Sequence, residues 1–221
     1  MENKHTIGDL YQMQSLPLDS KIHMTIDRIK GWIDEFGDDG VYISFSGGKD
    51  STVLMDIVRN EMGEKYVPAV FVDVPTQYPE LKEFAKSWDN VEILKPNMSF
   101  MDVCSKYGFP LISKEVSQQI FDARTQAKRN NCLPRETNTY FRNFCEESEH
   151  LKKYKNFSNA NWDFMFDSKF AISAKCCTEL KKKPAKKYEK RTGRKPILAT
   201  MADESRLRKS EWMKNGCNAF N

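Results

Sequence analysis

The stretch Ser44-Phe45-Ser46-Gly47-Gly48-Lys49-Asp50-Ser51-Thr52 gathers the groups that hold a phosphate. Gly47 and Gly48 let backbone N–H groups converge with no Cβ in the way, which makes an anion-binding concavity. Lys49 adds a mobile full charge, and the hydroxyls of Ser46 and Ser51 add donors. With Ser44 at the head of the stretch and Asp50 inside it, the set suits a pyrophosphate group. It is not a Walker A loop, because Ile43 and Asp50 stand where that pattern needs Gly and Ser/Thr. The plain alternative is a Gly-Gly turn with a solvated Lys and Asp. A second feature is the pair Cys176-Cys177. Neighbouring cysteines rarely bond to each other, whereas neighbouring thiolates can share an iron–sulfur cluster; the alternative is two small buried hydrophobes. Cys104, within an apolar helical pattern, reads as core.

The elements around the loop decide between these readings. Val41–Phe45 is a short apolar run rich in β-formers, and a helical pattern begins near Ser51 with Val53, Leu54, Ile57, Val58 and Met62. The phosphate loop therefore lies at a strand-to-helix junction, where open α/β sheets take their ligands, and the helix dipole adds its positive end. Residues 67–74 predict a second strand, 79–88 a helix, 91–94 a third strand, and 100–108 a helix stopped by Gly108 and Pro110. This alternation predicts an α/β fold with an open parallel sheet and helices on both faces.

Ahead of it, Leu18, Ile22, Ile26, Ile29 and Ile33 mark one amphipathic helix, so residues 1–37 read as a helical lead-in to a nucleotide-binding domain over 38–221. Residues 113–131 predict a long polar helix. Residues 132–170, rich in aromatics that include Tyr140, Phe144, Tyr154, Phe157 and Phe166, read as a helical insertion packed on itself. The basic run 181–195, with Pro184 and Gly193, reads as a turn-containing surface segment rather than a continuous helix. Residues 196–201 predict a returning strand, followed by a helix.

Thirty-five Lys+Arg against 31 Asp+Glu, a net charge of +4, describe a mildly basic chain rather than a general nucleic-acid binder. Hydrophobic content of 39% argues against wholesale disorder. The apolar runs are too short for a transmembrane helix and the first residues lack a secretory pattern, so no membrane association and a cytoplasmic location are expected. Six cysteines then argue for a reducing compartment.

Ser-Gly-Gly-Lys-Asp-Ser resembles the PP-loop of the adenine nucleotide α-hydrolase superfamily, the ATP pyrophosphatases. More narrowly, residues 38–221 resemble the phosphoadenosine phosphosulfate (PAPS) reductase family, through 71–80, 112–117, the KCC segment with its downstream LKKKP (175–184), and 199–208. The resemblance implies ATP or PAPS as ligand, with magnesium. It implies that Asp73, at the end of the second strand, orients a magnesium-bound water or a ribose hydroxyl; capping of a turn is the alternative. Lys114 would reach phosphate or sulfate, or else be a solvated surface Lys. Glu204, Ser205 and Arg208 match a Ser-x-x-Arg segment that grips the far end of the ligand. Where reductases carry Arg three residues before that Ser, this chain has Ala202.

The resemblance further implies α–β cleavage of ATP, because the loop is intact where reductases have a degraded one. Lys49, Asp50 and Asp73 would then be catalytic, in sulfate activation or sulfur transfer. The alternatives are a PAPS or adenylyl-sulfate reductase, whose C-terminal Cys-Gly-Leu-His-type segment this chain lacks, and a non-catalytic nucleotide-binding module acting with a partner. Cys176, Cys177 and Cys217 would be ligands of a [4Fe–4S] cluster, one thiolate short. Because relatives carry a further Cys-rich segment, the chain is expected to be truncated or a short member. The expected partners are an adenine nucleotide and a sulfur-transfer protein or a second copy of the chain, with nucleic acid the less favoured.

Overall fold

The computed structural model describes residues 3–111, 113–145 and 159–217. Tyr154 and Phe157, counted above with the insertion, lie outside the described residues, as does Ile112. The main elements run α1 (Ile7–Gln14), α2 (Leu18–Phe36), β1 (Val41–Phe45), α3 (Lys49–Asp56), β2 (Ala69–Val72), α4 (Pro79–Lys86) and β3 (Val91–Leu94). They continue with α5 (Phe100–Tyr107), α6 (Lys114–Asn130), α7 (Lys183–Thr192), β4 (Lys195–Ile197) and α8 (Arg206–Asn215). The chain divides into two compact units, one holding residues up to Asp73, Gln77–Lys95 and the chain from Ala185 on, the other Val74–Thr76 and Pro96–Pro184.

The first unit is an open four-stranded parallel sheet flanked by helices, in the order β3-β2-β1-β4. Four of the five residues of β1 are buried, as in a parallel sheet covered on both faces. Its Val41, Ile43 and Phe45 join Met55, Val58, Phe71 and Ala85 in one apolar core, to which α2 adds Ile29 and Ile33. The residues read as a lead-in thus supply part of the sheet's own cover. The helix marked by Leu18 to Ile33 is α2, and a further helix precedes it: α1 opens with a Thr6–Asp9 capping box, and Pro17, just ahead of α2, separates the two. On the other side of β1, Tyr42 packs edge-on against Tyr188 of α7 and donates its hydroxyl to Glu189 at 2.9 Å.

The second unit is helical. A Ser99–Asp102 capping box starts α5, and the hydroxyl of Ser113 accepts from the Val116 N–H to start α6. Ile120, Phe144, Phe166 and Ile172 form its core, so these insertion aromatics pack on each other as expected. Arg135 pairs with Asp163 at 3.0 Å and Asp167 at 2.7 Å, and Tyr140 donates to Asp163 at 2.6 Å. The guanidinium of Arg135 holds both carboxyls below the usual carboxylate range.

The basic run corrects an expectation. Instead of containing a turn at Pro184, the chain is helical without a break from Lys175 to Thr192. A π turn over Thr178–Lys182 carries the Lys183 N–H back to the Thr178 carbonyl, five residues away. That widened turn admits Pro184, which has no N–H to give and would clash in a regular helix. Gly193, at φ 75°, ends the helix by donating its N–H to Glu189 O at 2.8 Å. The returning strand is also shorter than 196–201: β4 stops at Ile197, and the Thr200 N–H turns back to Leu198 O at 3.0 Å.

Candidate functional site

In a parallel sheet all strands end at the same edge, and three strand ends of the first unit carry the candidate groups. The chain steps outward from β1 through β2 to β3 and then returns to the other side of β1 with β4. The reversal falls between β1 and β4, and open α/β sheets bind ligands at the carboxyl ends of the strands at such a point. Residues 46–48 follow β1, Asp73 follows β2, and Glu204, Ser205 and Arg208 lie beyond β4 where α8 begins.

The loop after β1 is held by its own side chains. Ser51, 5% exposed, accepts the Ser46 N–H at 3.2 Å and donates to Gly48 O at 3.0 Å. Ser46 Oγ lies 3.0 Å from Ser51 Oγ, and the Gly48 N–H points at it from 3.4 Å. The Ser51 hydroxyl, read from the sequence as a ligand donor, therefore serves the loop, and Ser46 is the exposed hydroxyl. Ser44, half-buried in β1, pairs with Val70.

The two glycines are not equivalent. Gly47 has φ 73°, and a Cβ there would come 3.3 Å from Leu81 Cδ2 of α4. Gly48 has φ −81°, open to any residue, and its Cβ would meet only Ser46 Oγ at 3.5 Å. Gly47→Ala should then lower folding stability by about 1–2 kcal/mol. Gly48→Ala should leave it unchanged or raise it by up to about 1 kcal/mol. Urea midpoints of the two variants check this, and equal midpoints would contradict it.

Gly48 is also the N-cap of α3, and it gives no side-chain cap, whereas Thr6, Ser99, Ser113 and Ser205 cap α1, α5, α6 and α8. The first N–H groups of α3 are thus left for another acceptor, with the dipole behind them. Lys49 and Asp50 are exposed beside them, and neither forms an ion pair among the described residues. The arrangement can hold a polyphosphate by backbone N–H groups, a helix terminus and one ammonium.

Acids at the other strand ends come already paired. Asp73 donates its N–H to Leu94 O at 2.8 Å and meets Lys82 Nζ of α4 at 2.6 Å. Glu204 pairs with Arg208, and Ser205 accepts the Arg208 N–H at 3.2 Å as the cap of α8. Lys82 escaped sequence reasoning. Its only signal was a base on the helix that follows a strand ending in an acid. Lys114 opens α6 in the second unit and is exposed there.

Magnesium is typically held by one or two carboxylates together with phosphate oxygens. Asp50 fits that use, while Asp73 would first have to leave Lys82. Among the described residues no three His, Cys, Asp or Glu come together to hold a metal ion. Of the expected set, Cys176 and Cys177 belong to the second unit and Cys217 to the first. Cys176 and Cys177 are half-buried in the second unit, and Cys217 is exposed, accepting from the Trp212 indole N–H at 3.1 Å. Cys104 is core, as expected; burial first, and then the nearby Cys176, push its thiol pKa up.

Among the described residues no helix is long and apolar enough to cross a membrane. No curated protein and no solved structure matches the chain. The family model of the phosphoadenosine phosphosulfate reductase domain matches residues 40–199. That match runs from just ahead of β1 to just past β4, so it takes in the loop after β1 and all four strands, while Glu204, Ser205, Arg208 and Cys217 lie beyond it. On a match over well over half its length, the chain belongs to the phosphoadenosine phosphosulfate reductase domain family.

Proposed function

We propose that the protein binds ATP at the loop after β1 and cleaves it between the α and β phosphates, in sulfate activation or sulfur transfer. The observation that carries this reading is the intact loop. Gly47 takes a left-handed conformation, α3 lacks a side-chain cap, and Lys49, without an ion pair among the described residues, stands at the reversal point of the sheet. In the reaction an acceptor oxygen attacks the α-phosphorus, the bond to the β-phosphate bridging oxygen breaks, and pyrophosphate leaves with the electron pair. The α3 N–H groups and Lys49 take up the charge that develops on that leaving group. Asp73 orients a hydroxyl of the nucleotide, and Arg208 with Ser205 takes its far end. Asp50 would hold magnesium bound with the nucleotide, and that ion would supply neutralisation of phosphate charge.

Calorimetric titration of ATP and of PAPS, each with and without magnesium, tests the reading, together with detection of pyrophosphate as candidate acceptors are added. ATP should bind at least about tenfold tighter than PAPS, a difference of about 1.4 kcal/mol. PAPS bound tighter than ATP would overturn it in favour of a reductase. ATP binding with no pyrophosphate release under any acceptor would make the protein a nucleotide-binding module.

A further inference from the structure

We propose that Lys82 is a positioning residue of the strand-end site, which fixes Asp73 and sets how strongly ligand binding draws on a divalent cation. The inference rests on the reading of this edge as a nucleotide site and adds a residue to it. Lys82 Nζ lies 2.6 Å from Asp73 Oδ2, and the two side chains keep 35% and 20% of their exposure, so the pair faces solvent rather than the core. Both ends of the pair are anchored. The Asp73 N–H is bonded to Leu94 O at 2.8 Å. Lys82 follows Leu81, which lies where a Cβ on Gly47 would point, so α4 carries the ammonium in register with the phosphate loop.

The chemistry follows from one shared oxygen. With the ammonium on Oδ2, Asp73 keeps Oδ1 to accept from a ligand hydroxyl. A divalent cation approaching the same carboxylate meets a like charge at contact distance. Glu204 is neutralised in the same way by Arg208, whereas Asp50, beside the loop after β1, has no ion pair among the described residues. The edge therefore carries its own cations for a polyanion, and Lys82 decides whether Asp73 serves the ligand or a metal.

The test uses the whole protein with Lys82→Met, Lys82→Arg and the double variant Lys82→Met/Asp73→Asn. Manganese alone, followed by electron paramagnetic resonance, is the first probe. Lys82→Met should bind it about tenfold more tightly than wild type, since removing one unit charge at contact distance is worth at least that. Lys82→Arg should match wild type, and the double variant should lose the gain. The second probe is ATP by calorimetry, in EDTA and in magnesium. Metal-free ATP affinity should fall about tenfold in Lys82→Met, with a smaller loss in magnesium. A structural role would not move that split, and melting curves should superimpose across the set. Manganese affinity within twofold of wild type in Lys82→Met would overturn the proposal, as would equal ATP losses with and without magnesium. A manganese gain in a protein that binds neither ATP nor PAPS would instead sink the nucleotide reading and leave Lys82 as the residue that controls Asp73.

Discussion

Replacing Arg59 by alanine should cost about 3–4 kcal/mol of folding stability, a large loss for a charged side chain. Arg59 is 5% exposed in the π turn over Ile57–Glu61 that continues α3. Its guanidinium donates to the carbonyls of Val67 at 3.2 Å and Asn90 at 3.3 Å and to that of Asp89. These carbonyls stand just ahead of β2 and β3, so one side chain closes the amino-terminal edge of two neighbouring strands. Burial lowers the pKa of the guanidinium, since charge is costly there, and its Nε has no partner among the described residues. Even so, removal takes the guanidinium from the Val67 and Asp89 carbonyls, while Asn90 O keeps the Ala69 N–H at 3.0 Å, and it leaves a void beside Val58 and Val67, each a cost in its own right. The milder substitution Arg59→Lys would keep one point charge but lose the fork, at about 1–2 kcal/mol. Guanidinium chloride unfolding with an unchanged slope would measure both, and a loss under about 1 kcal/mol for Arg59→Ala would show that water replaces the fork. Because the ligand groups stand at the opposite edge, ATP affinity of the folded variant should equal that of wild type.

Arg59 also shows where sequence reading stops. Val41–Phe45 and Val91–Leu94 were legible to the residue, because short β-branched and aromatic runs bounded by polar turns have few other uses in a parallel sheet. The place of the glycine loop was legible for the same reason: Gly47, Gly48 and Lys49 sit between such a run and a helical pattern. What pattern cannot carry is the partner of a side chain. Arg59 looks like one more solvated base on a helix, and only the strand starts brought under it by the fold make it a buried clasp. Ser51 looks like a ligand donor until the backbone closes on it. Pro184 was read as a turn because proline usually ends a helix, and the π turn that accommodates it leaves no mark in the residue types. In each case the missing information is a contact set by packing, whereas the elements themselves follow from local preference.

Lys49→Ala is the substitution expected to act most strongly on binding, weakening ATP by about ten- to a hundredfold, or about 1.5–3 kcal/mol for a lost charge-assisted contact. Lys49 is exposed at the first turn of α3 and has no ion pair among the described residues, so the change should leave the unfolding midpoint where it was. That separates it from Gly47→Ala, which strains the loop itself. Two further results would locate the effect on the phosphates. The wild-type affinity should fall as salt rises, and the variant's dependence should be shallower, since one cation fewer is screened. Lys49→Arg should recover part of the loss, because the charge returns while the compact ammonium does not. If alanine and wild type bind ATP equally, the backbone N–H groups of α3 hold the phosphates alone and Lys49 is a solvated surface charge. If both variants lose binding equally, against that expectation, the contact requires the compact ammonium itself.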